Sequence, residues 1–436
     1  MIPGLSWGIP FAGVLLSVAL FPLVAPRLWH RRMGVILAGW TLILVASEVV
    51  FAGFPAGFHL VWHAFLVEYL PFVVLLLALF TAGGGILLEG GPWGRPGGNT
   101  LLLAIGVALA GVMGTTGVSM VLIHPLLRAN AHRRRRAHLV VFFIILVANA
   151  GGATTPLGDP PLYLGFLQGI PFTWPLRHLS VPMLTLALPL LAAFWLVDRH
   201  LAARDNPPGP RKPLRLRGEI NILLVGVVVA AVLAQGVWAP GEVALLGVPI
   251  GIERLVAIGV MLAVVAASLA LTPRAVREGN LFTWEPMAEV GKLFAAIFIT
   301  ITPVLAMLAA GFDGPFAPLL RLVTRADGSP EPLAYFWLTG LLSAFLDNAP
   351  TYLVFFRMAG DDPAVLAGTL ADTLLAISAG AVFFGALTYV GNAPNLMLRS
   401  IAAHRGIRMP GFFGYMGWAC LLLLPGFLLL SILFFP

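Results

Sequence analysis

Apolar runs long enough to cross a bilayer recur along the whole chain, near residues 8–26, 33–53, 68–88, 100–128, 139–168 and 180–198, and again near 219–238, 254–272, 286–312, 331–359, 365–403 and 412–435. A hydrocarbon core about 30 Å thick is spanned by about 20 such residues in a helix. In that solvent every backbone polar group must be satisfied within the chain, which selects helices. The fold class expected is therefore an all-α polytopic membrane protein, and soluble-enzyme folds are excluded. The composition agrees, at 59% hydrophobic and 10% charged, where a soluble domain carries about 25% charge. Lys and Arg total 26 against 19 Asp and Glu. They gather in short loops, so the excess reports topology and not a nucleic-acid partner. Cys420 is the single cysteine and permits neither an internal disulfide nor a cysteine metal cluster. No basic residue precedes Arg27, so the first run reads as a membrane helix and not as a cleavable signal.

The runs divide as six and six. Between them residues 201–218, with Asn206-Pro207-Pro208-Gly209-Pro210 and a cluster of basic residues, read as a cytoplasmic linker separating repeats 1–200 and 219–436. The fourth run of each half is polar or helix-breaking in its middle: Gly114-Thr115-Thr116-Gly117-Val118-Ser119 in one, Asp347-Asn348-Ala349-Pro350-Thr351 in the other. Each arm, at about 1.5 Å per residue, reaches only mid-membrane, so runs 100–128 and 331–359 read as re-entrant hairpins. A kinked spanning helix is the plainer alternative. The fifth runs, 139–168 and 365–403, are broken over 149–161 and 391–395 by Gly and Pro. Thr115 and Asn348 stand 233 residues apart, as do Gly158 and Gly391. A hairpin that returns to its own side leaves five crossings per half, so the second repeat enters inverted. With the N-terminus outside, loops holding Arg27, Arg31, Arg32, Arg95, Arg128, Arg133 to Arg136, Arg199, the five basic linker residues, Arg274, Arg277, Arg399, Arg405 and Arg408 fall inside, 20 of the 26 basic residues. That asymmetry places both termini outside a bacterial-type inner membrane.

Inverted repeats with broken helices are the architecture of secondary transporters, whose sites form at the repeat interface. Helix starts at the tips favour anions, while unwound carbonyls favour small cations. Thr115, Thr116, Ser119, Asn149, Gly151, Thr154 and Thr155 supply one candidate set of ligands, and Asn348, Thr351, Asn392 and Asn395 a second. Sodium, a hard cation that takes oxygen ligands, is expected at Thr115, Asn149, Asn348 and Asn392. Back-bonding of each Ser or Thr to its own helix is the structural alternative. A carboxylate at the midplane is costly and therefore a functional candidate; burial favours its protonated form and a bound cation its ionised form. Asp347, Asp159 and Glu289 are the proton-coupling candidates, in that order. Helix capping is the plainer role for both aspartates, and an ion pair with Lys292 the plainer role for Glu289. Arg133 to Arg136 read as an anchor facing lipid head groups.

The run 149–161, the tip from Asp347 to Thr351 and the break from Gly391 to Asn395 resemble the ion-transporter superfamily, and within it NhaD-type sodium/proton antiporters and CitMHS-like citrate carriers. The resemblance covers nearly the whole chain and includes residues 284–309, with Glu289, Lys292, Thr300 and Pro303. Related dicarboxylate carriers have Ser-Asn-Thr at both tips; here the first tip has Thr115-Thr116 and the second Asp347-Asn348 with Thr351. An acidic tip repels a carboxylate and suits cation/proton exchange. The expectation is a secondary active transporter, a sodium/proton antiporter first and a cation- or proton-coupled citrate or carboxylate carrier second. An intramembrane protease and a passive channel rank behind these. No resident cofactor is expected beyond the transported sodium ion and proton. The expected partners are membrane lipid, small cations or a carboxylate, and a second copy in a homodimer.

Overall fold

The computed structural model describes residues 4–205 and 212–436. The linker residues Asn206 to Pro210 lie outside the described residues. Among the described residues ten helices are long and apolar enough to cross a membrane, from Leu5–Val24 to Phe412–Phe434. The protein is an all-α, multi-pass membrane protein. That ten includes Pro96–Met113, which ends at a turn, whereas the corresponding Pro332–Leu346 and Ala371–Phe384 are shorter.

Outer helices and inner helices differ in what they bury. In Pro26–Ala52 the buried residues are Met33, Leu37 and Leu44, while Val50 and Phe51 are 77% and 79% exposed. An outward apolar face of this kind is solvated by lipid tails. In Ala137–Leu146 every residue from His138 on is buried, with no polar face at all, so this segment is wrapped by protein. Several boundaries differ from expectation. The second helix starts at Pro26, so Arg27, Arg31 and Arg32 sit in its first two turns and not in a loop. The third starts at Phe54, after Gly53 at φ 89°, and runs to Gly84 through a π-turn at Ala64–Tyr69.

Both fourth segments fold as helical hairpins. The arms Pro96–Met113 and Thr115–Ala129 turn at Gly114, with Gly106 packed against Leu122. The arms Pro332–Leu346 and Asn348–Ala359 turn at Asp347, with the Tyr335 and Phe355 rings 6.1 Å apart. The base of the first hairpin is bonded to the C-terminal end of the helix Trp174–Ala202, and the end of the second hairpin to the segment just ahead of that helix. At one end Asp198 accepts from Asn99 Nδ2 (2.9 Å) and Asn99 donates to Asn130 Oδ1 (3.0 Å). At the other, Trp174 donates to the Ala367 carbonyl (3.1 Å) and Arg357 to Gln168 Oε1 (3.2 Å). Arg133 pairs with Asp198 inside the first end, with His138 Nε2 at 2.9 Å from the same oxygen. Arg133 is therefore turned inward by the buried carboxylate and does not face outward as expected.

Two short antiparallel strand pairs were not expected. Leu87–Gly91 pairs with Lys212–Arg217, and Glu242–Leu245 with Val248–Gly251. The first stitches the far end of the linker to the first half. Its sequence sign is the alternation Leu214-Arg215-Leu216-Arg217 at period two.

Candidate functional site

The two hairpin tips share one backbone geometry. Gly114 has φ 74° and ψ 149°, and Asp347, 233 residues later, has φ 76° and ψ 142°. Glycine adopts this region freely; a residue with a Cβ is strained there by about 1–3 kcal/mol. The next residue in each case, Thr115 or Asn348, starts the returning arm. Asp347 Oδ1 accepts from the Ala349 amide at 3.2 Å, so it does cap that arm.

The two breaks are built alike as well. Helix Ala137–Leu146 gives way to a 3-10 turn at Ala150–Thr154 and resumes at Pro160–Leu167. Helix Ala371–Phe384 stops and resumes at Ala393–His404. The second break thus opens at Gly385, earlier than the expected 391–395, because the Thr388 hydroxyl takes over the local backbone bonds. That hydroxyl donates to the Ala344 carbonyl of the hairpin and accepts from the Val390 and Gly391 amides at 3.2 and 3.1 Å. In the first half the Thr155 hydroxyl donates to the Gly111 carbonyl and accepts from the Leu157 amide at 3.1 Å. Each staple joins residues 44 apart, and Thr155 and Thr388 are again 233 apart.

At the centre lies Asp159, 1% exposed, which precedes the resumed half-helix Pro160–Leu167. Its Oδ2 accepts from Asn348 Nδ2 at 2.6 Å. Its Oδ1 accepts from Asn392 Nδ2 at 3.1 Å and lies 3.5 Å from Thr115 Oγ1. Asp159 and Asn392 are themselves 233 residues apart. This bond joins the two breaks directly. Asn149 continues the network: its Oδ1 accepts from Asn392 at 3.2 Å and its Nδ2 donates to Asn395 Oδ1 at 2.9 Å. Asn395 in turn donates to the Gly385 and Thr388 carbonyls at 2.8 and 2.9 Å. Instead of two separate ligand sets, one per half, the side chains form one network knitted across both.

Asp347 is buried on the adjacent tip. Buried and without a hydrogen-bond partner among the described residues are Asn348 Oδ1 and Ser119 Oγ. Thr351 donates to the Asp347 carbonyl at 2.8 Å, the back-bonded alternative. Gly151 is buried against Val107, where a Cβ would clash, so its role is close approach. Thr116 and Thr154 are half-buried, and Thr154 faces Gly111. Glu289 is not brought to the cluster: it is half-exposed beside His30, 3.9 Å away, on the face of Glu285–Ala309 that carries Glu285. Its helix turns apolar residues inward and leaves Glu289 on the polar stripe. Thr388 escaped the sequence reading, although adding the repeat offset to Thr155 lands on it.

A bundle of membrane helices with two hairpins, two broken helices and a polar, carboxylate-bearing centre defines a membrane transporter. A family model described as "Putative citrate transport" matches residues 2–435. The chain belongs to that family, and no curated protein matches it.

Proposed function

We propose that the chain is a secondary active transporter of two inverted repeats, 1–200 and 219–436, that exchanges sodium for protons at the Asp159–Asp347 cluster. One observation carries this reading. Two buried carboxylates stand together among Asn and Thr side chains, with no basic side chain among the described residues bonded to either. A carboxylate unpaired in a low-dielectric core is costly, so such a pair is held by protons or by a cation, and each displaces the other from the same oxygens. The unpartnered Asn348 Oδ1 beside Asp159 adds a neutral oxygen of the kind a hard cation takes. Equivalent tips, equivalent staples and the Asp159–Asn392 contact support alternating access around a fixed midplane site. The gathering of Arg134 to Arg136, Arg274, Arg277 and Arg408 in connections between the long helices, on one expected side, supports termini outside a bacterial-type inner membrane.

The family's description favours a second reading, a citrate or other carboxylate carrier. The polyanion would then enter with a cation lying between it and Asp159 and Asp347, its carboxylates meeting the amides at the starts of the returning hairpin arms. Proteoliposomes loaded with a pH dye separate the two. A sodium pulse should move protons and a citrate pulse should not. Proton movement with citrate alone would replace the first reading by the second; silence with sodium would end the first, and absence of labelled-citrate uptake with or without sodium would end the second.

A further inference from the structure

One cavity lies away from the central cluster. It encloses about 820 Å³ at the end of the molecule where Arg133 pairs with Asp198, a volume that elsewhere buries a drug-sized molecule. Its polar wall is Arg134, Arg135 and Arg136, just before helix Ala137–Leu146, together with Arg408 from the turn ahead of Phe412–Phe434. No carboxylate lines it. Among the described residues none of these four guanidinium groups is in an ion pair, since Asp198 is taken by Arg133 and His138, and Asp205 binds only the Arg134 amide, at 3.2 Å. The other wall is apolar and faces outward: Leu196 is 59% exposed and Trp418 39%. Leu196 stands less than two turns before the helix end at Ala202, and Trp418 less than two turns after the start at Phe412, so both lie near the interfacial level where tryptophan collects.

Four unpaired guanidiniums on one wall and a bilayer-facing apolar strip on the other fit one molecule that carries both chemistries. We propose that this cavity binds one anionic phospholipid, its phosphate held by Arg134, Arg135, Arg136 and Arg408 and its acyl chain laid along Leu196 and Trp418. The site is distinct from the transport cluster: His138, on its border, is eleven residues and about 16 Å of helix rise from Asn149. Basic pockets between membrane helices recognise acidic head groups in this way.

The test uses the purified, lipid-stripped full chain, with native mass spectrometry and melting temperature as readouts. Phosphatidylglycerol should bind at one equivalent and raise the melting temperature; phosphatidylcholine should bind at least about tenfold more weakly. Replacing Arg134, Arg136 and Arg408 together by Ala should weaken phosphatidylglycerol on the order of a hundredfold, while Arg325→Ala, at an exposed site elsewhere, should leave it unchanged. Leu196→Glu, which puts a carboxylate on the acyl wall without touching the arginines, should also weaken it at least about tenfold and serves if the triple variant does not fold. Unchanged binding in either cavity variant, or equal binding of phosphatidylcholine, overturns the proposal. If inorganic phosphate or citrate alone reproduces the shift and displaces the lipid, the cavity is a free-anion site and the lipid assignment falls.

Discussion

Asp347 holds a backbone conformation that its counterpart Gly114 holds without strain. On the proposed exchange the side chain is needed there, and two substitutions separate need from geometry. Asp347→Gly should remove strain worth about 1–3 kcal/mol, offset by a few tenths for the poorer cap, so the melting temperature should rise while sodium-driven proton movement falls to background. A glycine variant that still exchanges would reduce Asp347 to a structural cap. Asp347→Asn keeps the cap and the shape but cannot titrate, and its proteoliposomes should lose proton flux with the protein still inserted. At Asp159 the outcome differs in kind. Asp159→Asn presents an NH2 group among Asn348, Asn392 and Thr115, which already donate to that carboxylate; melting should fall by about 1–3 kcal/mol as well as flux. Much of this site was legible from residue type and spacing, because Asp, Asn and Thr have few reasons to stand in an apolar run. The joining of Asn149 to Asn392 and Asn395 was not, since it depends on how two distant breaks face one another, and neither was the outward placement of Glu289, which depends on helix rotation.

Each hairpin is tied to the break beside it by one threonine. Thr155→Val and Thr388→Val keep the side-chain volume but leave a buried carbonyl, at Gly111 or Ala344, and one or two amides without partners. Each should cost about 1–3 kcal/mol, read as melting in detergent, with Thr388→Val the larger because its hydroxyl serves two amides. Equal stability of wild type and Thr388→Val would show that the staple is not needed. The base of the first hairpin is tied differently, by the Asn99, Asn130, Arg133 and His138 cluster on Asp198. Asp198→Ala leaves Arg133 buried and unpaired and should cost about 3–5 kcal/mol. Glycine and proline announce where helices break, so the elements themselves could be expected. What fills a break is settled by hydroxyls reaching backbone 44 residues away, and periodicity carries no trace of that.

The base of the first hairpin is bonded to the far end of one long helix and the end of the second to the segment just ahead of it, and that helix, at about 1.5 Å per residue, is about 43 Å from Trp174 to Ala202. Single cysteines at Arg134, near the first base, and at Asp361, near the second, should therefore react with impermeant reagents from opposite sides of the membrane. Labelling of both from one side would rule out the inverted arrangement. The 233-residue offset was legible before any coordinates, and tips and staples keep that spacing in the fold.

The contact between Asp159 and Asn392 also sets the order in which the molecule can be made. At about 5–20 residues per second, the ribosome delivers Asn392 roughly 10–50 s after Asp159, and Asn348 only somewhat sooner. Until then a carboxylate that the finished protein surrounds with three donors waits with Thr115 alone. The nascent first half is thus incomplete at its most polar point, with two of the three donors still to come. A chain cut short before residue 348 lacks both asparagine donors to that carboxylate.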